Sequence, residues 1–317
     1  MEGVEHRTVS VNGINMHYAE KGEGGAAILF LHGFPELWYS WRHQIVALAD
    51  KGYRCIAPDL RGFGDTDAPP SLTSYTVFHI VGDFVALLDA LGLDKVFVVG
   101  HDWGAFMAWY FCLLRPDRVR ALVNLSVSYR PFLPSRDLIE GLRQVYGDDY
   151  YMCRFQEPGE IEAELATVDP AILMKYFLSY RNPGPIMIPK GSLTHLPAMD
   201  IAMPSWVTED DIAYYAKQHK KRGLTGGVNY YRMINLNVEM LAAWQGVEVK
   251  VPSKFVIGDL DLTYHMPGAK EYIHGEQFKK DVPLLEDVVV IQGAAHWIAQ
   301  ERPEEITAHI YDFISKF

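Results

Sequence analysis

Residues 98–105, VVGHDWGA, combine an apolar strand, a turn between small residues and the start of a helix. A sharp strand-to-helix turn of the form G-x-nucleophile-x-G exposes its central side chain above a sheet. The central residue here is Asp102. A carboxylate is ionised at neutral pH, so it needs no base to become a nucleophile. For this motif alone, a structural turn with an Asx hydrogen bond is the alternative interpretation.

The composition is typical of a globular protein with a large core. The chain has 317 residues, of which 49% are hydrophobic, and a formal net charge of −11. This length suits one large domain, or a domain with a big insertion. The acidic balance argues against nucleic acid or an anionic membrane surface as a partner. No apolar run approaches the ~18–20 residues that a membrane span needs.

The cysteines and the two chain ends bear on localisation. Three cysteines, Cys55, Cys112 and Cys153, are odd in number and widely spaced, which is typical of reduced thiols in a reducing compartment. The first residues are charged and include no apolar signal segment, so we expect a cytoplasmic protein. The end at residues 315–317, SKF, is close to the peroxisomal S-K-L address and leaves the peroxisome as the alternative.

Strand-like apolar runs alternate with helical patterns through most of the chain. The runs lie at residues 8–11, 16–19, 27–31, 54–58, 96–99, 121–125, 254–257 and 288–291. The helical patterns lie at residues 41–49, 78–91, 103–114 and 303–314. This alternation predicts an α/β fold with a mostly parallel, doubly wound sheet. Asn12-Gly13 predicts a hairpin turn between the first two strands.

The alternation stops between residues 128 and 246. This segment is rich in Tyr, Met and Pro and reads as short helices at residues 135–146, 160–167, 208–220 and 229–236. We therefore predict an α/β core formed by residues 1–127 and 247–317. Residues 128–246 are predicted to form a helical lid over the strand ends.

Hydrolysis of an ester formed on Asp102 would need a base that activates water, an acid that orients this base, and an oxyanion site. With a nucleophile turn of this kind, the acid and then the histidine follow along the chain. His296 follows the last strand on a loop of small residues and is the candidate base. Asp261 is the preferred acid from its spacing after a strand, and Asp259 is the second candidate.

The loop HGFP at residues 32–35 follows an early strand. In this kind of site such a loop supplies one oxyanion N–H, and the residue after the nucleophile supplies the other. We therefore expect the backbone N–H groups of Phe34 and Trp103 to form the oxyanion site. The Phe34–Pro35 bond is a candidate for the cis form, which only ~5–6% of X-Pro bonds adopt. His32 and His101 are expected to support the loops by hydrogen bonding.

Several segments together resemble the soluble epoxide hydrolases of the α/β-hydrolase superfamily, most closely those of plants. They are HGFPELWYSWRHQ (32–44), PDLRGFGDT (58–66), GHDWGA (100–105), RFQEPG (154–159), NYYR (229–232) and KEYIHG (270–275). The similarity extends from about residue 5 to residue 317 and includes the insertion. It implies an α/β-hydrolase fold, with Asp102 as nucleophile, Asp261 as charge-relay acid and His296 as base. Trp297 and Ser128-Tyr129 depart from the family pattern and bear on substrate identity.

The same resemblance implies that Tyr151 and Tyr231 activate the epoxide. A phenol with a pKa near 10 donates at neutral pH, which suits the alkoxide that ring opening develops. The residues alone do not distinguish Tyr151 from Tyr150, and packing of the lid is the alternative role. The resemblance also implies that Glu36 helps to hold the hydrolytic water, with a helix-start role as the alternative.

The predicted activity is the opening of an epoxide to a vicinal diol, with a small apolar epoxide and water as partners. A haloalkane dehalogenase with the same nucleophile is the nearest alternative, and a ligand receptor of this fold is the non-enzymatic one. A serine esterase is disfavoured because no G-x-S-x-G motif occurs. Without a phosphate loop, an HExxH motif or zinc spacing, we predict no cofactor and no metal. We expect a monomer or weak homodimer that binds neither nucleic acid nor membrane.

Overall fold

The computed structural model describes residues 2–131 and 137–317, which are built around an eight-stranded sheet. In chain order its strands are β1 (Glu5–Val11), β2 (Ile14–Lys21), β3 (Ala27–Leu31), β4 (Arg54–Pro58), β5 (Val96–His101), β6 (Val119–Leu125), β7 (Ser253–Gly258) and β8 (Leu285–Ile291). Their spatial order is β1-β2-β4-β3-β5-β6-β7-β8. β2 pairs antiparallel with β1 and β4, and the remaining pairs are parallel. The predicted mostly parallel sheet is confirmed.

The central strands are buried on both faces, as continuous apolar runs require. Every residue of β3 and of β5 is buried. Helices α1 (Arg42–Ala49) and α14 (Pro303–Ile314) cover one face of the sheet. Helices α2 (Val77–Ala90) and α3 (Trp103–Leu114) cover the other. Within the described ranges, no helix is both long and apolar enough to cross a membrane.

The chain between β6 and β7 is helical, and we call its residues 128–131 and 137–246 the helical insertion. Its helices are α4 (Leu138–Tyr146), α5 (Tyr151–Arg154), α6 (Glu160–Leu165), α7 (Pro170–Ser179), α8 (Glu209–Arg222), α9 (Thr225–Arg232) and α10 (Ile234–Met240). The helix start expected at Ser135 lies outside the described residues. The single helix expected over residues 229–236 is instead split at Met233 into α9 and α10.

The last part of the chain completes the core beside β7 and β8. Helices α11 (Ala269–His274) and α12 (Glu276–Asp281) lie between these two strands in sequence, and the short helix α13 (Ile298–Glu301) precedes α14. Because β3 and β5–β8 are parallel, their carboxyl ends meet at one edge of the sheet, where ligands of such folds bind. Aromatic residues of the helical insertion share one apolar cluster with Phe34 and Trp103 at this edge. The insertion therefore packs over the strand ends.

Candidate active site

Asp102 lies at the turn between β5 and α3, in a backbone conformation that L-residues rarely adopt. Its φ is 51° and its ψ is −121°, and strained residues of this kind cluster at functional sites. The turn requires small neighbours. A Cβ on Gly104 would lie 2.0 Å from the Leu31 carbonyl oxygen, and one on Gly33 would lie 2.4 Å from the Asp102 Cβ. These glycines allow the loop after β3 to approach Asp102 closely.

Each oxygen of the Asp102 carboxylate contacts one neighbouring group. Its Oδ1 accepts a hydrogen bond from the Phe34 backbone N–H at 2.8 Å. Its Oδ2 lies 3.5 Å from His296 Nε2. Burial alone would raise the pKa of Asp102, but the His296 imidazole and the Phe34 amide lower it. Asp102 is therefore a carboxylate at neutral pH.

His296 lies between two carboxylates. Its Nδ1 is 3.0 Å from Asp261 Oδ1, and its Nε2 faces Asp102. Burial alone would lower the pKa of His296, but Asp261 and Asp102 raise it well above the usual imidazole value. The two carboxylates therefore favour the protonated imidazole in the free protein.

Two hydroxyl residues that the sequence analysis did not select surround Asp261. Ser126 Oγ donates to Asp261 Oδ2 at 2.6 Å and lies 2.9 Å from His296 Nδ1. The Thr263 hydroxyl and backbone N–H both donate to Asp261 Oδ1 at 2.9 Å. Although burial opposes ionisation, His296 and these donors lower the pKa of Asp261. Ser126 directly follows β6, which lies next to β7 in the sheet. This position at the carboxyl edge is the sequence feature from which Ser126 could have been identified.

Asp259, the second candidate acid, contacts a different part of the site. Its Oδ1 accepts from the Gly293 backbone N–H at 2.7 Å, and its carbonyl accepts from His265 Nε2 at 2.7 Å. Asp259 thus supports the loop that leads to His296, whereas Asp261 contacts the imidazole itself.

Tyr151 and Tyr231 face Asp102 from the helical insertion. Tyr151 is the first residue of α5 and Tyr231 lies in the last turn of α9. Their ring centroids are 5.6 Å apart at an interplanar angle of 77°. Burial raises the pKa of both phenols well above the usual value. Both side chains are therefore protonated and available as hydrogen-bond donors.

The cavity at Asp102 has two compartments that share Asp102, Tyr151 and Tyr231 as walls. The larger compartment measures about 510 Å³, and the smaller measures about 40 Å³ and includes His296 in its wall. Aromatic and apolar residues line most of the larger one, among them Trp103, Phe106, Trp109, Tyr129, Met152 and Ile234. The smaller one is lined chiefly by Phe34, Phe177, Tyr180, Ile186, Ile188 and Trp297. Tyr150 is in neither lining.

The loop after β3 directs a backbone N–H at the nucleophile. The Phe34–Pro35 peptide bond is cis, and the Phe34 N–H points at Asp102 Oδ1. Trp103 is the first residue of α3, and the first N–H groups of a helix lack an intrahelical acceptor. His32 accepts from the Leu60 N–H at Nε2 (3.0 Å), so its Nδ1 donates to the Gly33 carbonyl (2.8 Å).

Glu36 and His101 form a buried pair behind the nucleophile turn. His101 Nδ1 lies 2.7 Å from Glu36 Oε2, and His101 Nε2 lies 2.7 Å from the His296 carbonyl oxygen. Glu36 also accepts from Gln300 Nε2 at 2.9 Å. Although burial opposes ionisation, His101 lowers the pKa of Glu36. Glu36 is outside the lining of both compartments, so its contacts are with the loops.

A possible metal-ligand group occurs in the described part of the chain, away from Asp102. His17, Asp59 and Asp65 each offer one ligand atom, all within 4.8 Å of one another. These side chains already bond within the protein, since His17 Nδ1 lies 2.8 Å from Asp59 Oδ2 and Asp65 pairs with Lys221. None of the three lines either compartment at Asp102.

The strand order and the strained turn after β5 define the chain as an α/β-hydrolase. A family model described as "alpha/beta hydrolase fold" matches residues 26–158. Relatives over the full length then specify the family. Epoxide hydrolase 2 of Siraitia grosvenorii is 62% identical over 317 residues, covering 100% of both chains. Epoxide hydrolase A of Mycobacterium tuberculosis is 39% identical, over 98% of this chain and 97% of the relative.

Solved structures agree with these relatives. An epoxide hydrolase from Vigna radiata superposes with a TM-score of 0.97 at 55% identity, covering 100% of this chain and 99% of the other. Epoxide hydrolase I of potato superposes with a TM-score of 0.95 at 56% identity, covering 99% of this chain and 100% of the other. The chain belongs to the epoxide hydrolases of the α/β-hydrolase family. The predicted fold class and enzyme class are thus confirmed.

Proposed function

We propose that Asp102 attacks a carbon of the epoxide ring and forms an ester with it. One carboxylate oxygen bonds to the carbon while the ring C–O bond breaks, and the freed oxygen takes a proton from Tyr151 or Tyr231. The observation that carries this proposal is the meeting of one ionised carboxylate and two protonated phenols around a single cavity. Two phenols suit an alkoxide better than a halide ion, which disfavours dehalogenation.

The second half-reaction is hydrolysis of this ester. His296, oriented by Asp261, takes a proton from water, and the water oxygen adds to the Asp102 carboxyl carbon. The N–H groups of Phe34 and Trp103 stabilise the resulting oxyanion. The existing 2.8 Å bond from Phe34 to Asp102 Oδ1 supports this role. Collapse of the intermediate breaks the bond between the Asp102 carboxyl carbon and the former Asp102 oxygen that is now attached to the substrate. That oxygen takes the proton of the added hydroxyl group, so a vicinal diol leaves and the Asp102 carboxylate is restored.

Ester formation prepares His296 for its role as a base. In the free protein, Asp261 and Asp102 raise the pKa of His296 despite its burial. Esterification removes the negative charge of Asp102. The pKa of His296 then falls, because a neighbouring opposite charge has been lost. The ring releases its proton, which restores the phenol that protonated the epoxide oxygen, and becomes the neutral base that hydrolysis requires.

We also assign roles to the helical insertion and to the buried pair Glu36 and His101. Residues 1–127 and 247–317 form the core, and residues 128–246 act as a lid that carries the two tyrosines. Glu36 and His101 are positioning residues, since His101 contacts the His296 carbonyl. That Glu36 also helps to hold the hydrolytic water stays a prediction.

The proposed substrate is an apolar epoxide with one large and one small substituent. Its oxygen must lie at the tyrosines and its attacked carbon at Asp102, so groups on the two ring carbons extend into different compartments. The smaller compartment, about 40 Å³, has room for about three water molecules. The larger, about 510 Å³, is of the size that binds drug-sized ligands.

The three cysteines bear on the compartment in which the reaction takes place. Cys55, Cys112 and Cys153 are buried and unpaired, which fits a reducing compartment. We propose a cytoplasmic enzyme that acts as a monomer or weak homodimer, without nucleic acid or membrane as a partner. Cell fractionation and sedimentation of the purified chain would test the location and the assembly.

A single turnover in heavy-oxygen water tests the ester mechanism. With the protein in excess over styrene oxide, heavy oxygen should enter the Asp102 carboxylate, read by mass spectrometry of the peptide that contains it. The diol of this first turnover should be unlabelled. Label in the diol but not in Asp102 would show direct attack of water instead. A parallel measurement of chloride release from 1-chlorobutane addresses the dehalogenase alternative, for which we expect no turnover.

A further inference from the structure

The loop that carries His296 is attached to the helical insertion at both of its ends. We call residues 293–297 the histidine loop; it follows β8 and precedes α13. Both attachments come from one short stretch of the insertion, the end of α7 and the residues just after it. Phe177 contacts one end of the loop and Arg181 contacts the other.

Trp297 makes the first attachment. Its indole N–H donates to the Phe177 carbonyl at 2.7 Å. This carbonyl lies in the last turn of α7 and also accepts from the Tyr180 backbone N–H at 3.1 Å. Trp297 directly follows His296, and the two ring centroids are 4.8 Å apart. A phenylalanine here would retain an aromatic ring but lose the donor.

Arg181 makes the second attachment through two bonds. Its Nη2 donates to the Gly293 carbonyl at 2.8 Å, and its Nη1 forms an ion pair with the Glu301 carboxylate. Glu301 is buried, and its other oxygen accepts from the Ala295 backbone N–H at 2.8 Å. One guanidinium of the insertion thereby holds the residue immediately before His296.

We propose that Arg181 and Trp297 are positioning residues for ester hydrolysis, because they hold His296 in register with the helical insertion. The inference rests on the proposed ester mechanism. Ring opening depends instead on Asp102, Tyr151 and Tyr231. Tyr151 is held by its own backbone bond to the Ile186 carbonyl at 3.0 Å. Loosening the histidine loop should therefore slow the second half-reaction and spare the first.

Rapid-mixing experiments on the full chain separate the two steps. Arg181→Met removes both bonds of the guanidinium, and Trp297→Phe removes only the indole donor. With protein in excess over styrene oxide, quenched samples give the ester on the Asp102 peptide and the diol as functions of time. Ester formation should stay within about twofold of the parent protein in Arg181→Met, because Arg181 lines neither compartment. In Trp297→Phe, whose ring lines the smaller compartment, hydrolysis should slow more than ester formation. Since a misplacement of about 1 Å can cost about 100-fold in rate, we expect hydrolysis to slow by about tenfold or more.

The steady state gives an independent measurement. When hydrolysis alone is slowed, ester accumulates, and kcat and KM should fall together. Lys175→Met is the matched control, because Lys175 lies on α7 and pairs with Glu209 of the insertion at 2.9 Å. It removes a cation from the same helix without touching the histidine loop, so both steps should keep the parent rates.

Arg181→Met leaves the buried Glu301 without its close partner, which could prevent folding. The double variant Arg181→Met/Glu301→Gln neutralises that carboxylate and retains an oxygen for the Ala295 N–H. It should show the same selective loss of hydrolysis. Equal slowing of both steps would overturn the proposal, because a general disturbance of the insertion also displaces Tyr151 and Tyr231. Unchanged rates in all variants would overturn it as well. If the parent protein forms no ester, the proposed mechanism itself fails, which is a different result.

Discussion

Asp102 and Asp261 are both buried carboxylates, and the pKa of each is lowered by its neighbours against the effect of burial. Their hydrogen bonds differ. Asp261 has both oxygens occupied, by Ser126, Thr263 and His296. Asp102 receives one amide bond and lines both compartments of the cavity. A carboxylate with all its acceptors engaged can orient an imidazole, while one that faces a cavity can attack.

Removing both phenols should block ring opening. In the double variant Tyr151→Phe/Tyr231→Phe, the departing oxygen finds no donor, so ester formation should fall by about 10²-fold or more. Mass spectrometry of the Asp102 peptide in a single turnover measures this rate. Tyr272→Phe is the control, because Tyr272 bonds Asp281 and lines neither compartment. Ester formation at the parent rate in the double variant would reject the role of the tyrosines.

Replacing Asp261 should change the pH dependence of hydrolysis. Asp261 raises the pKa of His296, so Asp261→Asn lowers that pKa and the neutral base persists to lower pH. The acid limb of the hydrolysis rate should therefore move to lower pH. The plateau should drop by about 10⁴-fold, the loss seen when a serine protease loses its orienting aspartate. An acid limb that stays in place or moves to higher pH would contradict this assignment of charges.

The sequence predicts well which residues lie at the same edge of the sheet. It predicts less well which of two neighbouring side chains points into the site. Asp102, Asp261 and His296 are candidates from chain order alone, because parallel strands place their carboxyl ends together. Tyr151 could not be separated from Tyr150 without the family resemblance. The helix α5 that presents it has four residues, too few for a periodic pattern.

The sequence predicts strongly buried segments with the bounds that the structure shows. Strand β3 and helix α3 match the predicted residues 27–31 and 103–114. Helix α7 was missed, although Asp169 caps it and Pro170 occupies its first turn, a recognised start signal. The break between α9 and α10 was missed because apolar residues continue through Met233. In the insertion, packing against the core outweighs local periodicity.

Arg232 should be the residue that most stabilises the arrangement of α5, α6 and α9. Its buried guanidinium donates to the Phe155 and Glu157 carbonyls and pairs with Glu162. Arg232→Met leaves two carbonyls and the partly buried Glu162 carboxylate without this donor. Because a buried polar group without a partner costs about 1–3 kcal/mol, we expect a loss of about 2 kcal/mol or more. Urea unfolding would measure the loss.

An exposed ion pair of the same insertion supplies the comparison. Arg143 contacts Glu140 and Asp148 on the surface, with its side chain 37% exposed. Arg143→Met should cost less than about 1 kcal/mol, as exposed pairs generally do. Equal losses from the Arg232 and Arg143 variants would show that burial does not set their contributions.

The unequal compartments should determine which epoxides react. For trans-epoxides with phenyl on one carbon, kcat/KM should fall by about tenfold or more when methyl on the other carbon becomes butyl. Ile186→Ala widens the smaller compartment and should restore the butyl substrate. Met152→Ala, in the wall of the larger compartment only, should not. Equal kcat/KM for methyl and butyl in the parent protein would contradict the proposed substrate shape.

The order of the strands also has a consequence for synthesis. Asp102 follows β5, whereas Asp261 and His296 follow β7 and β8, beyond the whole helical insertion. Ser126 and His296, whose side chains meet, are 170 residues apart in sequence. A ribosome releases the chain from its N-terminus, so β7 and β8 emerge last. Until they add to the edge of the sheet, the nascent chain holds a nucleophile with no base beside it, and turnover begins only after β8 has joined β7.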